Sequence, residues 1–228
     1  MIASRFELVI FDCDGVLVDS EPIINQAHAS VLTACGYSIT EPELVERFCG
    51  MSDPEMLAII ERDWGRALPA SYGERVGAMI ENGFCRSLKA IKGVGEVLDW
   101  LDLPVCVASS SGLEQIRGKL ELTGLLKHFR ENLFSATMVA HSKPAPDLFV
   151  YAAHRLAAVP DRSLVIEDSP AGIDAAVAAG MTAVGFCGGG HCELGHGARL
   201  REHGAALVID GMCQLANAMA ELTRAPAR

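Results

Sequence analysis

The sequence predicts an α/β fold: a doubly wound parallel sheet core with a small helical cap inserted after the first strand. Three observations lead to that expectation. Short runs that are apolar at consecutive positions alternate with helix-period segments, the pattern of strands covered on both faces and linked by helices. The alternation fails once, between about Glu21 and Leu88, where every segment reads as helix. Polar clusters follow several of the apolar runs, at the carboxyl ends of strands, where open α/β sheets bind their ligands.

Along the chain, the first strand is Leu8–Phe11. The helical stretch comprises Glu21–Cys35, Glu41–Phe48, Pro54–Trp64 and Ser71–Leu88, separated by the breakers Gly36, Gly50, Gly65 and Pro69. It defines a cap of residues 20–88, and the core is then residues 1–19 together with 89–228. Two crossings between them, near Gly15–Glu21 and Ser87–Lys92, permit a hinge. Beyond Lys92-Gly93 the alternation resumes, with strands expected at Val105–Ala108, Leu133–Ser135, Leu164–Ile166, Ala183–Phe186 and Leu207–Ile209. Helices are expected at Leu113–Leu122, Asp147–Leu156, Ala171–Ala179 and Met212–Leu222.

The chain has 228 residues, 50% of them hydrophobic and 21% charged, which excludes a disordered chain. Its formal net charge of −10 repels phosphate backbones, so nucleic acid is not an expected partner. An anionic substrate must therefore meet a local positive site. No run reaches the roughly 18 apolar residues of a membrane span, and the first residues lack the pattern of a signal peptide. A cytoplasmic protein, monomer or weak dimer, is expected. The 8 cysteines include no CxxC pair and read as reduced thiols. The stretch Cys187–His196 gathers two cysteines and two histidines, but its spacing matches no common zinc finger. It reads as a flexible, glycine-rich loop after a strand.

Asp12 and Asp14, in VIFDCDGVLVD, stand just past the first strand. Two carboxylates about 4 Å apart repel by roughly 4 kcal/mol at an effective dielectric near 20. A shared proton, full solvation or a cation must compensate, and a hard divalent ion such as Mg2+ suits oxygen donors. Taken alone, the pair also fits an Asp-Gly turn. Further along, Glu167-Asp168 ends another strand, Ser109-Ser110-Ser111-Gly112 ends a third and opens a helix, and Lys143 lies between a loop and a helix start. Acids, hydroxyls and a lysine on one sheet edge suit Mg2+ and phosphate together.

These residues resemble the haloacid dehalogenase superfamily over nearly the whole chain. Asp12-Cys13-Asp14-Gly15, Ser109, Lys143 and Glu167-Asp168 look like its four motifs, in order. SKPAPD, EDSPAGIDAA and the cap stretch RFCGMS are similar to the β-phosphoglucomutase-like phosphatases, a branch with a Rossmann-like core and sugar-phosphate substrates, and the chain resembles its 6-phosphogluconate phosphatase type. The resemblance implies a Mg2+-dependent phosphatase acting on a small phosphorylated metabolite. It implies Asp12 as nucleophile and Asp14 as acid and base, the latter helped by neighbouring acids. Phosphate would be held by Ser109, Ser110 and Lys143. The metal would be held at Asp12, Asp14 and Asp168, with Glu167 as ligand or outer support. By position, the cap residues Glu21, Arg47, Gly50 and Met51 are candidates for substrate contact. Arg47 and Met51 read equally as a solvated and a packing residue.

Two departures separate the chain from a mutase of this branch. Ile24 stands where the mutase has a histidine, and Asp53 where it has a cap arginine. The retained Asp14 speaks against dehalogenation, and the absence of lysine from Glu21–Ser87 against Schiff-base phosphonatase chemistry. A phosphotransferase and a non-catalytic phosphate-binding protein remain as alternatives.

Overall fold

The computed structural model describes residues 5–48, 51 and 53–224. The chain divides into two compact units, one of Met1–Asp19 with Lys89–Arg228 and the other of Ser20–Leu88.

Among the described residues, the larger unit is built on six strands: β1 (Leu8–Phe11), β2 (Val105–Ser109), β3 (Leu133–Ser135), β4 (Ser163–Glu167), β5 (Thr182–Phe186) and β6 (Leu207–Ile209). Their order is β3-β2-β1-β4-β5-β6, and every pairing is parallel. All four residues of β1 and all five of β4 are buried, as two-sided cover requires. Phe11 aligns with Val107 on one side and Ile166 on the other. The residues just beyond those positions therefore emerge together at the carboxyl end of the sheet. That edge is where the chain reverses its direction of strand addition about β1, the usual ligand crevice of such sheets.

The sheet stands because its neighbours bury it. Leu148, Phe149, Ala152 and Ala153 recur at helical spacing and pack with Ile10, Cys106 and Val165 in one core cluster. The sequence reading finds all six strands because their apolar runs are continuous. It passes over three short helices, Val94–Trp100, Leu126–Phe129 and His196–Glu202, each under two turns and too short for a period to show. The last of these begins inside the stretch read as a flexible loop.

Among the described residues, the smaller unit holds four helices, α1 (Glu21–Cys35), α2 (Glu41–Phe48), α3 (Asp53–Trp64) and α4 (Tyr72–Ser87). Their apolar stripes meet in a separate core that includes Leu32, Leu44, Phe48, Ile60 and Val76. His28 is buried in it, with Nδ1 2.8 Å from the Tyr72 hydroxyl.

The ends of the larger unit that flank the helical segment lie side by side. Val18 forms an antiparallel bridge with Ala90. The Asp19 N–H donates to Lys89 O at 3.0 Å, and the Ile91 N–H donates to Leu17 O at 2.9 Å. Among the described residues, no helix is long and apolar enough to cross a membrane, and no disulfide links the described cysteines.

Candidate active site

Asp12 extends β1 by one residue. Its N–H still donates to Ile166 O at 3.0 Å, so the backbone is held by the sheet while the side chain leaves it. The chain then turns at Gly15, whose φ of +74° suits glycine. A methyl group at Gly15 would also overlap the Asp168 carboxylate, so the turn and the acid occupy one packed space.

Lys143 joins two strand ends. Its Nζ lies 2.6 Å from Asp12 Oδ1, 2.7 Å from Glu167 Oε1 and 2.9 Å from the Ala108 carbonyl oxygen, which uses all three ammonium protons. Burial pulls this ammonium down, but Asp12 and Glu167 together hold it above the usual lysine range. Burial also lifts the Asp12 carboxyl well above its ordinary value. Lys143 works against that rise, while Glu167, Asp168 and Asp14 add to it. Asp168 is raised in the same way, by burial first and by Glu167 next.

Asp14 meets a second lysine, one that the sequence reading misses. Lys119 Nζ lies 2.6 and 2.5 Å from the two Asp14 oxygens, and its side chain is only 5% exposed. It also donates to Ser111 Oγ at 2.9 Å, and that hydroxyl donates to Asp14 Oδ2 at 2.8 Å. The charged group in contact with Asp14 is therefore a lysine, where the sequence reading expects neighbouring acids to set its behaviour. The helix Leu113–Leu122 buries Ile116, Lys119 and Leu120 on one face. A lysine inside that apolar stripe is the signal that could have found it.

The hydroxyl cluster divides. Ser109 is buried, and its Oγ accepts the Ser111 N–H at 3.1 Å. Ser135 Oγ donates to Ser111 O at 2.7 Å and fixes the same turn from β3. Ser110, expected to hold phosphate, is exposed, and the hydroxyl that reaches the acids belongs to Ser111.

Glu167 is almost fully buried, and both of its oxygens are engaged. Oε1 takes Lys143, and Oε2 accepts the Ser169 N–H at 2.8 Å and the Ser169 hydroxyl at 2.9 Å. In this geometry Glu167 anchors Lys143, and a cation would have to displace a protein donor to reach it. Ser169 in turn caps the helix Pro170–Ala178, its Oγ accepting the Gly172 N–H at 3.0 Å. A methyl at Gly172 would run into the Glu167 carboxylate. Gly172→Ala is therefore expected to destabilise the protein by roughly 1–3 kcal/mol through overpacking. The measure is the urea midpoint, and an unchanged midpoint would contradict this packing.

Asp168 completes the group. Its Oδ2 lies 2.9 Å from His191 Nε2, and its main-chain oxygen lies 2.6 Å from His196 Nε2. The structure thus gathers Asp12, Asp14, Glu167 and Asp168 with Lys119 and Lys143 at the ends of β1 and β4 and the turn after β2. Four carboxylates against two ammonium groups leave an excess of two negative charges.

In the helical unit, Glu21 is half-buried in the first turn of α1, and Met51 is 45% exposed. Arg47 is occupied within that unit. Its guanidinium bonds Asp63 at 2.9 Å and the Tyr37 hydroxyl at 2.8 Å and lies over the Phe48 ring, on the exposed side of the helix. Gly50 lies outside the described residues.

The family model described as haloacid dehalogenase-like hydrolase matches residues 9–186. The chain is 32% identical over 189 residues to the 6-phosphogluconate phosphatase of Escherichia coli, covering 82% of this chain and 86% of that one. It is 31% identical over 207 residues to the phosphorylated carbohydrates phosphatase of Thermotoga maritima, covering 89% and 94%. Among solved structures, a HAD family hydrolase from Deinococcus radiodurans, described with bound phosphate and sodium, superposes with a TM-score of 0.82 at 32% identity, covering 96% of each chain.

Proposed function

The chain belongs to the haloacid dehalogenase-like hydrolases and is a phosphoric monoester hydrolase; from that premise we propose that it hydrolyses a small phosphorylated sugar or sugar acid, using Mg2+ and an aspartyl-phosphate formed on Asp12. One observation carries this reading: a buried carboxylate at the central strand end is held by a lysine and surrounded by further acids. The relatives named for phosphorylated carbohydrates support the substrate class.

The residues fit a hard divalent cation. Their donors are oxygens, and four carboxyl groups gather against two ammonium groups among the described residues. Asp12, Asp168 and the Asp14 carbonyl would hold it. Such a cation, when bound, offsets the repulsion between a carboxylate nucleophile and an anionic phosphate.

The chain's own groups then do the following. Asp12 attacks phosphorus in line, forming a bond to its carboxylate oxygen as the ester bond breaks. Asp14 turns away from Lys119 as the protonated acid and gives that proton to the leaving alkoxide. In the second half it takes a proton from the water that attacks the aspartyl-phosphate, and inorganic phosphate leaves. Lys143 supplies positive charge beside the phosphoryl oxygens, and Ser109 orients them. Lys119 and Ser111 fix the resting position of the Asp14 carboxylate. Glu167 keeps Lys143 in place. Choice among esters falls to residues outside this cluster, which handles phosphate alone.

The test is a panel of phosphorylated sugars and sugar acids assayed with Mg2+. Release of inorganic phosphate from members of that class is expected. A panel with no turnover would sink the proposal, and an isomerised sugar phosphate without phosphate release would identify a mutase. Chelation by EDTA should lower the rate roughly a hundredfold or more, with recovery on adding Mg2+. Full activity in EDTA would remove the metal from the mechanism.

A further inference from the structure

We propose that His191, Cys192 and His196 form a second cation site, suited to a zinc-class transition metal and separate in its donors from the all-oxygen cluster beside it. The ligand atoms of these three residues all lie within 4.8 Å of one another. Cys192 Sγ is 3.5 Å from His191 Nε2. A tetrahedral zinc with bonds of about 2.3 Å to sulfur and about 2.0–2.1 Å to nitrogen has a sulfur–nitrogen edge of about 3.5 Å. The pair is thus already spaced as two corners of such a site.

The outer partners suit the same use. His196 Nε2 lies 2.6 Å from the Asp168 main-chain oxygen, so its N–H donates there and its Nδ1 lone pair points elsewhere. A metal-binding imidazole ordinarily has its other nitrogen fixed in this way. Arg199 lies 3.2 Å from that Nδ1 and would give way to the metal; a positive group already occupies the position. Asp168 Oδ2, 2.9 Å from His191 Nε2, orients that ring from the all-oxygen cluster and is not one of the three donors, so the fourth corner is left to a ligand from solution.

The local chain is shaped for the arrangement. The Cys192 N–H closes a turn onto Gly189 O at 3.1 Å, and a side chain at Gly189 would collide with the His191 ring. The Gly190 N–H is tied to Asp19 Oδ1 at 3.0 Å. In sequence, adjacent His191 and Cys192 fit no familiar spacing. The turn, followed by the helix His196–Glu202, brings in the third ligand. Thiolate and imidazole prefer zinc-class ions, while carboxylates suit Mg2+, so the two neighbouring sites sort cations by donor softness.

The experiment uses the full chain without a histidine tag, stripped of metal and titrated with Co2+ in excess Mg2+. One Co2+ per chain is expected, with the intense visible bands of a four-coordinate ion and a thiolate-to-cobalt charge-transfer band, all displaced by Zn2+. Cys192→Ser should abolish the charge-transfer band, and His196→Gln should weaken Co2+ binding at least about tenfold. Cys187→Ser should leave both unchanged. The absence of a charge-transfer band in the parent chain, or its persistence in folded Cys192→Ser, overturns the proposal. None of these readouts depends on phosphate-ester hydrolysis, so the catalytic reading stands or falls separately.

Discussion

Asp12→Asn is expected to abolish phosphate release while the protein stays folded. The amide matches the carboxylate in shape and can still accept the Lys143 proton, a contact of 2.6 Å in the parent. It also removes one of the acids crowded against Glu167 and Asp168, so the fold loses little. The amide oxygen is a far poorer nucleophile, and no covalent phosphoryl bond forms. Loss of a nucleophile that acts with its partners as a unit costs at least about a thousandfold in turnover. The measurements are phosphate release under saturating Mg2+ and the thermal midpoint of the same sample. Parent-like turnover in a folded variant would take Asp12 out of the chemistry.

The second large effect is expected for Lys143→Met. The parent ammonium, with a side chain only 4% exposed, neutralises Asp12 and Glu167 at once. Removing one partner of a buried ionic group strands the others in a place where water cannot replace it. Such losses cost roughly 3–5 kcal/mol, a fall of roughly 6–20 °C in Tm for a chain of this size. Methionine fills most of the vacated volume, so the loss reports charge more than packing. Turnover should fall as well, because the proposed nucleophile Asp12 loses the ammonium that holds it. A variant as stable as the parent would mean that Glu167 and Asp12 find compensation elsewhere.

Much of the fold was legible because it is written in local patterns. Leu8–Phe11 and Leu164–Ile166 are apolar at every position, which only a strand covered on both sides explains. Asp12, Ser109 and Asp168 could be picked out because each stands where an apolar run gives way to a turn, and Lys143 because it stands just before a helix start. What stayed hidden depends on contacts between distant parts of the chain. Lys119 reads as one more solvated helix lysine until its helix is seen to bury it against Asp14, 105 residues away. The choice of Ser111 over Ser110 depends on the direction of one turn, which three consecutive serines cannot encode. Glu167 carries the acidity of a ligand, yet Lys143 and Ser169 consume its oxygens. His191 sits in a glycine-rich segment whose path is set by Asp19 and Asp168, neither of them near it in sequence.

The paired backbone at Val18 and Ala90 has a consequence for how this architecture diversifies. Because departure and return are stitched side by side, the sheet sees one hairpin whatever lies between. Cutting out Ser20–Leu88 and joining the stubs with a short turn should leave a minimal scaffold that folds alone, since hairpin connections of two to about five residues suit such a pair. The intervening segment then behaves as an interchangeable cassette, free to be lengthened, shortened or replaced while the hydrolytic scaffold is inherited unaltered.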